Sequence, residues 1–273
     1  MSRKLAEVIA AMEQRYPSSS AQEWDAVGLV CGDPKSEISK VLFAVDPHEL
    51  VIEQALDINA QLIIAHHPLM LKGVTSVSQL SRKGRIITEL IKRDIALFTA
   101  HTNADVANQG VSDALAVGVG VEVSGALEID SNLGRIGQLA KRMPLADFAA
   151  QVDSGLPKTA RGIHIAGDLN QIIENVAICG GAGDSLLDLV AQTNADVYIT
   201  SDLKYHVAQE FVQSTGKSLI EISHWAGEWP WLNQAAQFLT QDLGSTLETQ
   251  VSALSTDPWV LTRVHSAQLN SEE

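Results

Sequence analysis

Histidine and carboxylate side chains recur in this sequence directly after short apolar segments. One segment ends in an adjacent histidine pair, and two others end in a histidine followed four residues later by a carboxylate. The residues are His66 and His67, His101 and Asp105, and His224 and Glu228, while Asp202 follows a fourth segment. Neutral imidazoles and carboxylates suit zinc, manganese, iron or nickel, and this set contains no thiolate. The pattern predicts a divalent-metal site.

Each residue taken alone also has a structural interpretation, because a single histidine at a strand end is commonly just hydrogen-bonded. A spacing of four places both groups on one face only if the segment is helical. The stretch after His101, with Asn103, Asn108 and Gly110, looks more like a loop that enters the helix at 111–118. The recurrence of the pieces together favours the metal site over coincidence.

The adjacent histidines raise a geometric question, because successive residues on a strand point to opposite faces. His66 and His67 follow the apolar run of residues 62–65 and precede Pro68. An adjacent histidine pair directly after an apolar strand is more indicative of metal binding than a single histidine. The pair is therefore interpreted as part of the predicted metal site.

The elements that must position these residues form two similar units. Residues 41–67 align without gaps on residues 176–202, and both read as strand, helix and strand, the βαβ crossover of parallel sheets. The repeated histidine–carboxylate spacing favours an ancient duplication over the generic likeness of all such units. We predict an α/β protein with a first domain at 1–125, a second at 126–250, and a partly flexible tail at 251–273 that frays after Val264.

Composition narrows the range of partners. The 273-residue chain has 33 acidic and 19 basic residues, and its formal charge of -14 repels nucleic acid and anionic membranes. The basic stretches at 81–85 and 91–93 are interpreted as a solvated helix face. Cys31 and Cys179 form no CxxC motif, and no apolar run approaches the roughly 18 residues of a membrane span. We expect a cytoplasmic protein in a reducing compartment.

Other motifs give weaker evidence of a chemical role. The glycine-rich turn Gly180–Gly183 matches no phosphate-binding signature, so a weak anion or substrate contact and a simple tight turn are equal alternatives. The sequence has no GxSxG motif and no cysteine beside a histidine, so it offers no nucleophile. Trp225, Trp229 and Trp231 are expected to pack in the core, with subunit contact as the second interpretation.

Seven ordered segments resemble a known family, the NIF-three-like dinuclear metal-binding proteins, often labelled GTP cyclohydrolase I type 2 homologs. The segments are "WDAVGLVCGD", "LFAVDPHELVIEQAL", "IIAHHPLM", "TAHTNADVANQGVSDALA", "CGGAGD", "YITSDLKYH" and "SHWAGEW". The resemblance runs from about Leu5 to the mid-240s. It implies two interlocked α/β domains of related topology, mixed sheets flanked by helices, and a homohexameric ring. Longer members carry an inserted domain that this chain has no room for.

The resemblance also implies the site itself. Two divalent ions per chain would be held by five residues, with the last of them as a bridge: His66, His67, Asp105, His224 and Glu228. His101 matches a nearby position that orients a ligand or contacts substrate. Trp225, which follows the second-domain histidine, and the C-terminal tail depart from the family pattern.

Three functions remain open at this stage. The first is a metal-dependent hydrolase acting on a small polar substrate, a nucleotide or another heterocycle, with His101 or His206 as the proton shuttle. The second is a non-enzymatic protein that stores, delivers or senses metal, or acts through partners. The third is a structural α/β protein whose polar strand ends are coincidental.

Overall fold

The computed structural model describes residues 2–244 and 247–263, so the predicted fraying after Val264 lies outside them. Within the described residues the chain is an α/β protein with two mixed sheets flanked by helices. A short antiparallel pair, β1 (Arg3–Lys4) with β3 (Glu37–Ile38), ties the start of the chain to the segment that enters the first sheet. No helix in these residues is both long and apolar enough to cross a membrane.

The first sheet has five strands in the order β13-β4-β5-β6-β2. They are β2 (Gly28–Cys31), β4 (Lys40–Ala44), β5 (Leu62–Ala65), β6 (Ala96–Thr99) and β13 (Glu248–Val251). All run parallel except β2, which pairs antiparallel with β6. Val41 and Phe43 enter the main core, whereas Leu42 and Ala44 face a second core on the opposite side. Burial on both faces explains why the central strands β4, β5 and β6 are almost continuously apolar.

The helices that precede the second sheet in the chain are α1 (Leu5–Arg15), α2 (Glu49–Asp57), α3 (Arg82–Lys92), the single turn α4 (Thr102–Asp105) and α5 (Val111–Gly118), of which α5 packs on strands of the second sheet. Ser81 caps α3 by accepting a hydrogen bond from the N–H of Gly84 at 3.0 Å. The basic residues of α3 are exposed, whereas Ile86, Ile87 and Leu90 pack in the second core. The predicted solvated face is therefore confirmed.

The second sheet has six strands in the order β7-β8-β10-β11-β12-β9. They are β7 (Val121–Glu128), β8 (Leu133–Pro144), β9 (His164–Ala166), β10 (Ile172–Ala182), β11 (Val197–Ser201) and β12 (Ser218–Glu221). Only β10, β11 and β12 pair in parallel. The helices are α6 (Leu145–Gly155), α7 (Leu187–Ala191), α8 (Tyr205–Thr215) and α9 (His224–Leu243).

Helix α9 lies between the two sheets and contacts strands of both. It is 20 residues long and carries Trp225, Trp229 and Trp231. Trp231 is fully buried with its ring edge-on to Tyr16 at 5.4 Å between centroids. Trp225 is also buried, and the half-buried Trp229 donates its indole N–H to the carbonyl of Ser252 at 2.8 Å. Core packing, the expected role of these tryptophans, is confirmed.

Strand pairing bears on the predicted division into domains. The consecutive parallel strands β4-β5-β6 and β10-β11-β12 follow the same order in their sheets. Strand β7 runs through residue 125 and belongs to the second sheet, and β13 runs through residue 250 and returns to pair with β4 of the first. The chain thus crosses back after α9 and links the halves. An origin by duplication stays a prediction.

A buried arginine stabilises the start of the second sheet. The guanidinium of Arg135, 4% exposed, makes two hydrogen bonds to the carboxylate of Asp113 at 2.8 and 2.7 Å. It also donates to the carbonyl of Ala107 at 2.7 Å, in the loop that follows Asp105. Strand β8 and the loop after α4 are thereby joined through one side chain.

We expect Arg135→Met to lower the free energy of unfolding by about 3–5 kcal/mol, because it leaves a largely buried carboxylate without its counter-charge. Urea denaturation followed by circular dichroism measures the change. Arg142→Met, on an exposed position of the same strand, is the control and should alter stability by less than about 0.5 kcal/mol. Equal losses in the two variants would contradict this account.

Candidate metal centre

The adjacent histidines continue the ladder of the first sheet. Strand β5 ends at Ala65, and the next two backbone N–H groups, of His66 and His67, donate to the carbonyls of Ala44 and Val45 at 3.1 and 2.8 Å. The backbone of the pair is therefore fixed by strand pairing. The two rings lie 5.1 Å apart between centroids, inclined at 42°.

The two histidine–carboxylate spacings both fall on helical turns. The carbonyl of His101 accepts the N–H groups of Ala104 and Asp105 at 2.8 and 3.1 Å, so α4 is a turn where the sequence suggested a loop. Helix α9 begins at His224, and Glu228 lies one turn later on the same face with 2.9 Å between Nε2 and Oε1. Helical geometry brings each pair to one side.

The carboxylate of Glu228, 2% exposed, lies at the centre of the cluster. Its Oε1 is 2.9 Å from Nε2 of His224 and 3.4 Å from Nε2 of His66. Its Oε2 is 3.0 Å from Nε2 of His67. Asp105 Oδ1 approaches Nε2 of His66 at 3.7 Å. The two adjacent histidines therefore face different oxygens of one carboxylate.

Every imidazole of the cluster has a second partner on its Nδ1 side. The pairs are His66 with the carbonyl of Ala100 at 2.9 Å, His67 with Asp46 at 2.8 Å, His101 with Asp25 at 2.9 Å, and His224 with Asp202 at 2.6 Å. A neutral imidazole that donates through Nδ1 keeps its lone pair on Nε2. Metal-binding histidines are oriented in this way.

Three buried atoms at the centre have no hydrogen-bond partner among the described residues: His66 Nε2, Asp105 Oδ1 and Glu228 Oε2. Lone pairs of imidazole and carboxylate at such short distances repel each other unless a cation lies between them. Two groups of three donors, His66 with His67 and His101, and His67 with His224 and Glu228, each lie within 4.8 Å. The donor chemistry fits divalent metal.

The charges of the cluster shift its pKa values strongly. Burial disfavours the charged form of His224, but Glu228 and the hydrogen bond to Asp202 outweigh it and raise its pKa to about 10. Burial likewise opposes ionisation of Glu228, yet the surrounding imidazoles hold its pKa well below the usual range. Asp105 has fewer compensating contacts, and burial raises its pKa to about 6. Burial also opposes protonation of His67, but Glu228 and Asp46 outweigh it and raise its pKa well above the usual value. His67 and His224 therefore hold protons in the absence of metal.

The structure brings most of the sequence-derived site residues together. The five proposed ligands converge, and His101 joins them as a third imidazole beside His66 and His67. His206 does not join them: it is exposed in the first turn of α8, where its ring contacts Tyr205. Asp202 orients His224 instead of facing the centre.

Sequence reasoning assigned no role to Asp25 or Asp46, which hold His101 and His67. Asp46 follows the buried strand β4 closely, so its position at a strand end was an available signal. Asp25 lies in an irregular loop, and its three contacts to His101 and Thr102 depend on packing between distant segments. Asp46 could therefore have been predicted from its position just after a buried strand, the same criterion that identified the histidines.

The segment after β13 contacts the outer side of the cluster. The hydroxyl of Thr256 donates to Asp46, and the carboxylate of Asp257 accepts from Ser223, the residue that precedes His224. Both contacts reach residues that orient or adjoin a histidine of the centre. The described part of the predicted tail is therefore part of the site's surroundings.

Two pockets approach the cluster from different sides. One, of about 330 Å³, is lined by His67 and His224 together with Arg161, Asp257 and Trp259. The other, of about 360 Å³, reaches Asp105, His224 and Glu228, and its walls include Trp24 and residues of the glycine-rich turn. A ligand can therefore approach the buried centre.

The turn Gly180–Gly183 has a steric role at the centre. Gly181 has φ +74, and a Cβ there would lie 2.8 Å from Oε1 of Glu228. At Gly183 a Cβ would lie 2.2 Å from the hydroxyl of Tyr198. Gly181 allows the turn to pass close to the carboxylate, and Gly183 allows it to pack against Tyr198, whereas an anion contact by the turn stays a prediction.

Fold and cluster together define an α/β protein with a candidate metal centre at the meeting point of two mixed sheets. Residues 3–258 match the family described as Duf34/NIF3 (NGG1p interacting factor 3). The chain belongs to this family, as the seven sequence segments indicated.

Individual relatives support this family assignment. A Streptomyces coelicolor protein named "GTP cyclohydrolase 1 type 2 homolog" is 42% identical over 94% of this chain and 93% of its own length. The structure of a Bacillus cereus protein related to NIF3 has a TM-score of 0.87 at 23% identity, covering 95% of this chain and 99% of that one. A hypothetical Staphylococcus aureus protein has a TM-score of 0.85 at 29% identity with the same coverage.

We expect Gly181→Ala to weaken metal binding at least about 10-fold, because its Cβ would displace the carboxylate of Glu228. Gly216→Ala is the matched control: its φ is +68, close to that of Gly181, but nothing lies within 4 Å of the added Cβ. Both variants should lose about 1 kcal/mol of stability from backbone strain, and only the first should lose metal affinity. Calorimetric titration with Mn²⁺ measures the affinity, and equal affinities in the two variants would refute the steric role.

Metal affinity should rise with pH between about pH 6 and 9, because the ion must displace protons from the imidazoles. The raised pKa of His224, about 10, means that its protonated form stabilises the metal-free fold fully below pH 6.5, and that this contribution is lost as pH rises through about 10. Proton release is measured from the dependence of the Mn²⁺ binding enthalpy on buffer ionisation. His164→Gln, at an exposed histidine outside the cluster, should leave the release unchanged; a pH-independent affinity would rule out this competition.

Proposed function

We propose that this protein holds two divalent metal ions and uses them to hydrolyse a small polar, nucleotide-like substrate. One observation carries the proposal: imidazole Nε2 atoms, each on a ring fixed through Nδ1, converge on the buried carboxylate of Glu228. Such orientation of ligands by outer partners is a property of metal centres. Zinc, iron, manganese and nickel all suit the donors.

The directions of the free donor atoms indicate which residues would hold the two ions. Glu228 would contribute to both, since its Oε1 faces His66 and His224 while its Oε2 faces His67. Asp105, beside His66, completes the set. His101 lies within reach of the same centre as His66 and His67, so it is either a further ligand or a proton carrier.

Bound divalent ions would supply Lewis acidity, which polarises a carbonyl or phosphoryl oxygen and makes water acidic enough to react near neutral pH. The protein's own contribution is to hold donors and protons. Asp25 fixes the ring of His101 through Nδ1, so Nε2 is the atom that accepts or returns a proton. His206, the other proposed shuttle, has no contact with the cluster within the described part of the chain.

The names of relatives bear on the reaction class. The Streptomyces coelicolor protein carries a cyclohydrolase name, and hydrolytic opening of a purine ring falls within the proposed chemistry. The homohexameric ring that the family resemblance implies is part of the same proposal.

A metal-handling function is the second candidate, favoured by the burial of the centre: His66 is 0% and Glu228 2% exposed.

We expect Glu228→Gln to lower metal affinity by more than about 100-fold, because the amide removes a charge that faces three imidazoles. Elemental analysis of untagged protein should find about two equivalents of metal in the unsubstituted chain and far less in the variant. Glu248→Gln, at an exposed glutamate of β13, should retain the metal.

Turnover separates the two candidate functions. Metal-loaded protein should hydrolyse at least one member of a panel of nucleotides, phosphoesters and cyclic amides, and Glu228→Gln should abolish that activity. Full metal content without turnover of any panel member would favour metal handling. Unchanged metal content in Glu228→Gln would refute the proposed centre itself.

A further inference from the structure

The pocket beside His101, here called the Trp24 pocket, has walls of contrasting chemistry. Its volume is about 360 Å³, and it opens onto Asp105, His224 and Glu228 of the proposed metal centre. Its remaining walls include Gln22, Trp24, Thr102, Leu133, Gly181 and Ser185. This volume lies in the lower range for small-molecule sites, so the pocket suits a compact ligand.

Trp24 is presented to the pocket by an anchored loop. The N–H of Asp25 donates to the carbonyl of Gln22 at 2.9 Å, and the N–H of Gln22 donates to the hydroxyl of Thr102 at 3.0 Å. Asp25 in turn accepts the N–H of Thr102 at 3.0 Å. The loop is thus held at both ends against the turn that carries His101.

The indole of Trp24 nevertheless remains 59% exposed. Its ring stands edge-on to His101, with 6.1 Å between centroids and 79° between planes. Large aromatic side chains gain free energy when their faces are covered, so an exposed indole on an anchored loop beside the candidate metal centre is a platform for a flat ligand.

Glycine and small residues line another part of the pocket, and they leave room for a ring. The turn contributes Gly180, Gly181 and Ala182, which add no side chain larger than a methyl group to the pocket wall. Among the described lining residues none is lysine or arginine. A phosphate or carboxylate in this pocket would therefore find no protein cation away from the metals.

The opposite pocket differs in charge. It contains Arg161 together with Asp46, Asp202 and Asp257. Its own exposed indole, that of Trp259, is 58% exposed, nearly the same as Trp24. The two pockets thus offer a matched pair of tryptophans in different electrostatic surroundings.

We propose that the Trp24 pocket binds the uncharged heteroaromatic ring of the substrate, stacked on Trp24, and places its reacting atom at the metal centre. This inference rests on the proposed metal-dependent function, because only a loaded centre makes the position productive. In this proposal the pocket recognises the ring, and the metal ions bind any anionic group of the same molecule.

The test uses the full metal-loaded chain and two probes, guanosine as an uncharged ring and inorganic triphosphate as a charge without a ring. Calorimetric titration should show guanosine binding that Trp24→Ala weakens about 5- to 150-fold, the range for losing one aromatic–base stack. Trp24→Phe should restore binding to within about fivefold, since it keeps an aromatic face. Trp259→Ala, the matched control, should leave guanosine affinity unchanged.

Inorganic triphosphate distinguishes recognition of the ring from binding at the metals. Its affinity should be the same in the unsubstituted chain and in Trp24→Ala. Failure of the chain to bind metal would defeat the proposed function, whereas metal and triphosphate binding without guanosine binding would defeat this inference alone. Size-exclusion chromatography adds one more outcome: a change of oligomeric state in Trp24→Ala would assign the indole to a contact between copies and overturn the substrate role.

Discussion

Burial of the Glu228 carboxylate is the constraint on which the rest of the site depends. A buried carboxylate is strongly unfavourable unless positive charge or hydrogen bonds compensate it. Here the compensation comes from His66, His67 and His224, whose Nε2 atoms lie within 3.4 Å of its oxygens. Neutral imidazoles compensate poorly, so the arrangement requires either protons or metal. The cluster is accordingly a place where cations compete for the same lone pairs.

The surrounding structure restricts the orientations of the imidazole rings. Each imidazole is tied through Nδ1 to a carboxylate or a carbonyl that a different segment supplies. Because the rings are fixed before any ion binds, little conformational entropy is lost on binding. The same requirement explains Gly181, where a side chain would occupy the space of the carboxylate. Rigid donors and a narrow turn are thus consequences of one buried charge.

Much of this could be predicted from the sequence, because local patterns carry it. The apolar strands, their polar ends and the ordered family segments predicted an α/β fold and the family. Contacts between distant segments were harder to predict. His101 and Asp25 are 76 residues apart in the sequence, and only the folded structure shows that they are in contact. Three of the four residues of strand β13, "ETQV", are polar, so there is no alternation of polar and apolar residues that would predict its pairing at the edge of the first sheet. His206 drew attention by residue type, yet its position in the first turn of α8 directs it elsewhere.

The proposed ligands also come from both halves of the chain. His66, His67 and Asp105 follow strands of the first sheet, whereas His224 and Glu228 open the helix that follows the second. Helix α9 is already packed between the sheets by Trp231, whose ring lies 5.3 Å from that of His66. A metal ion bound by ligands from both halves would therefore connect the first sheet to helix α9. The hydrophobic core positions these two elements but does not itself compensate the charge of the buried carboxylate. In the metal-free fold, protons on His67 and His224 balance the carboxylate, so a metal ion binds by replacing those protons.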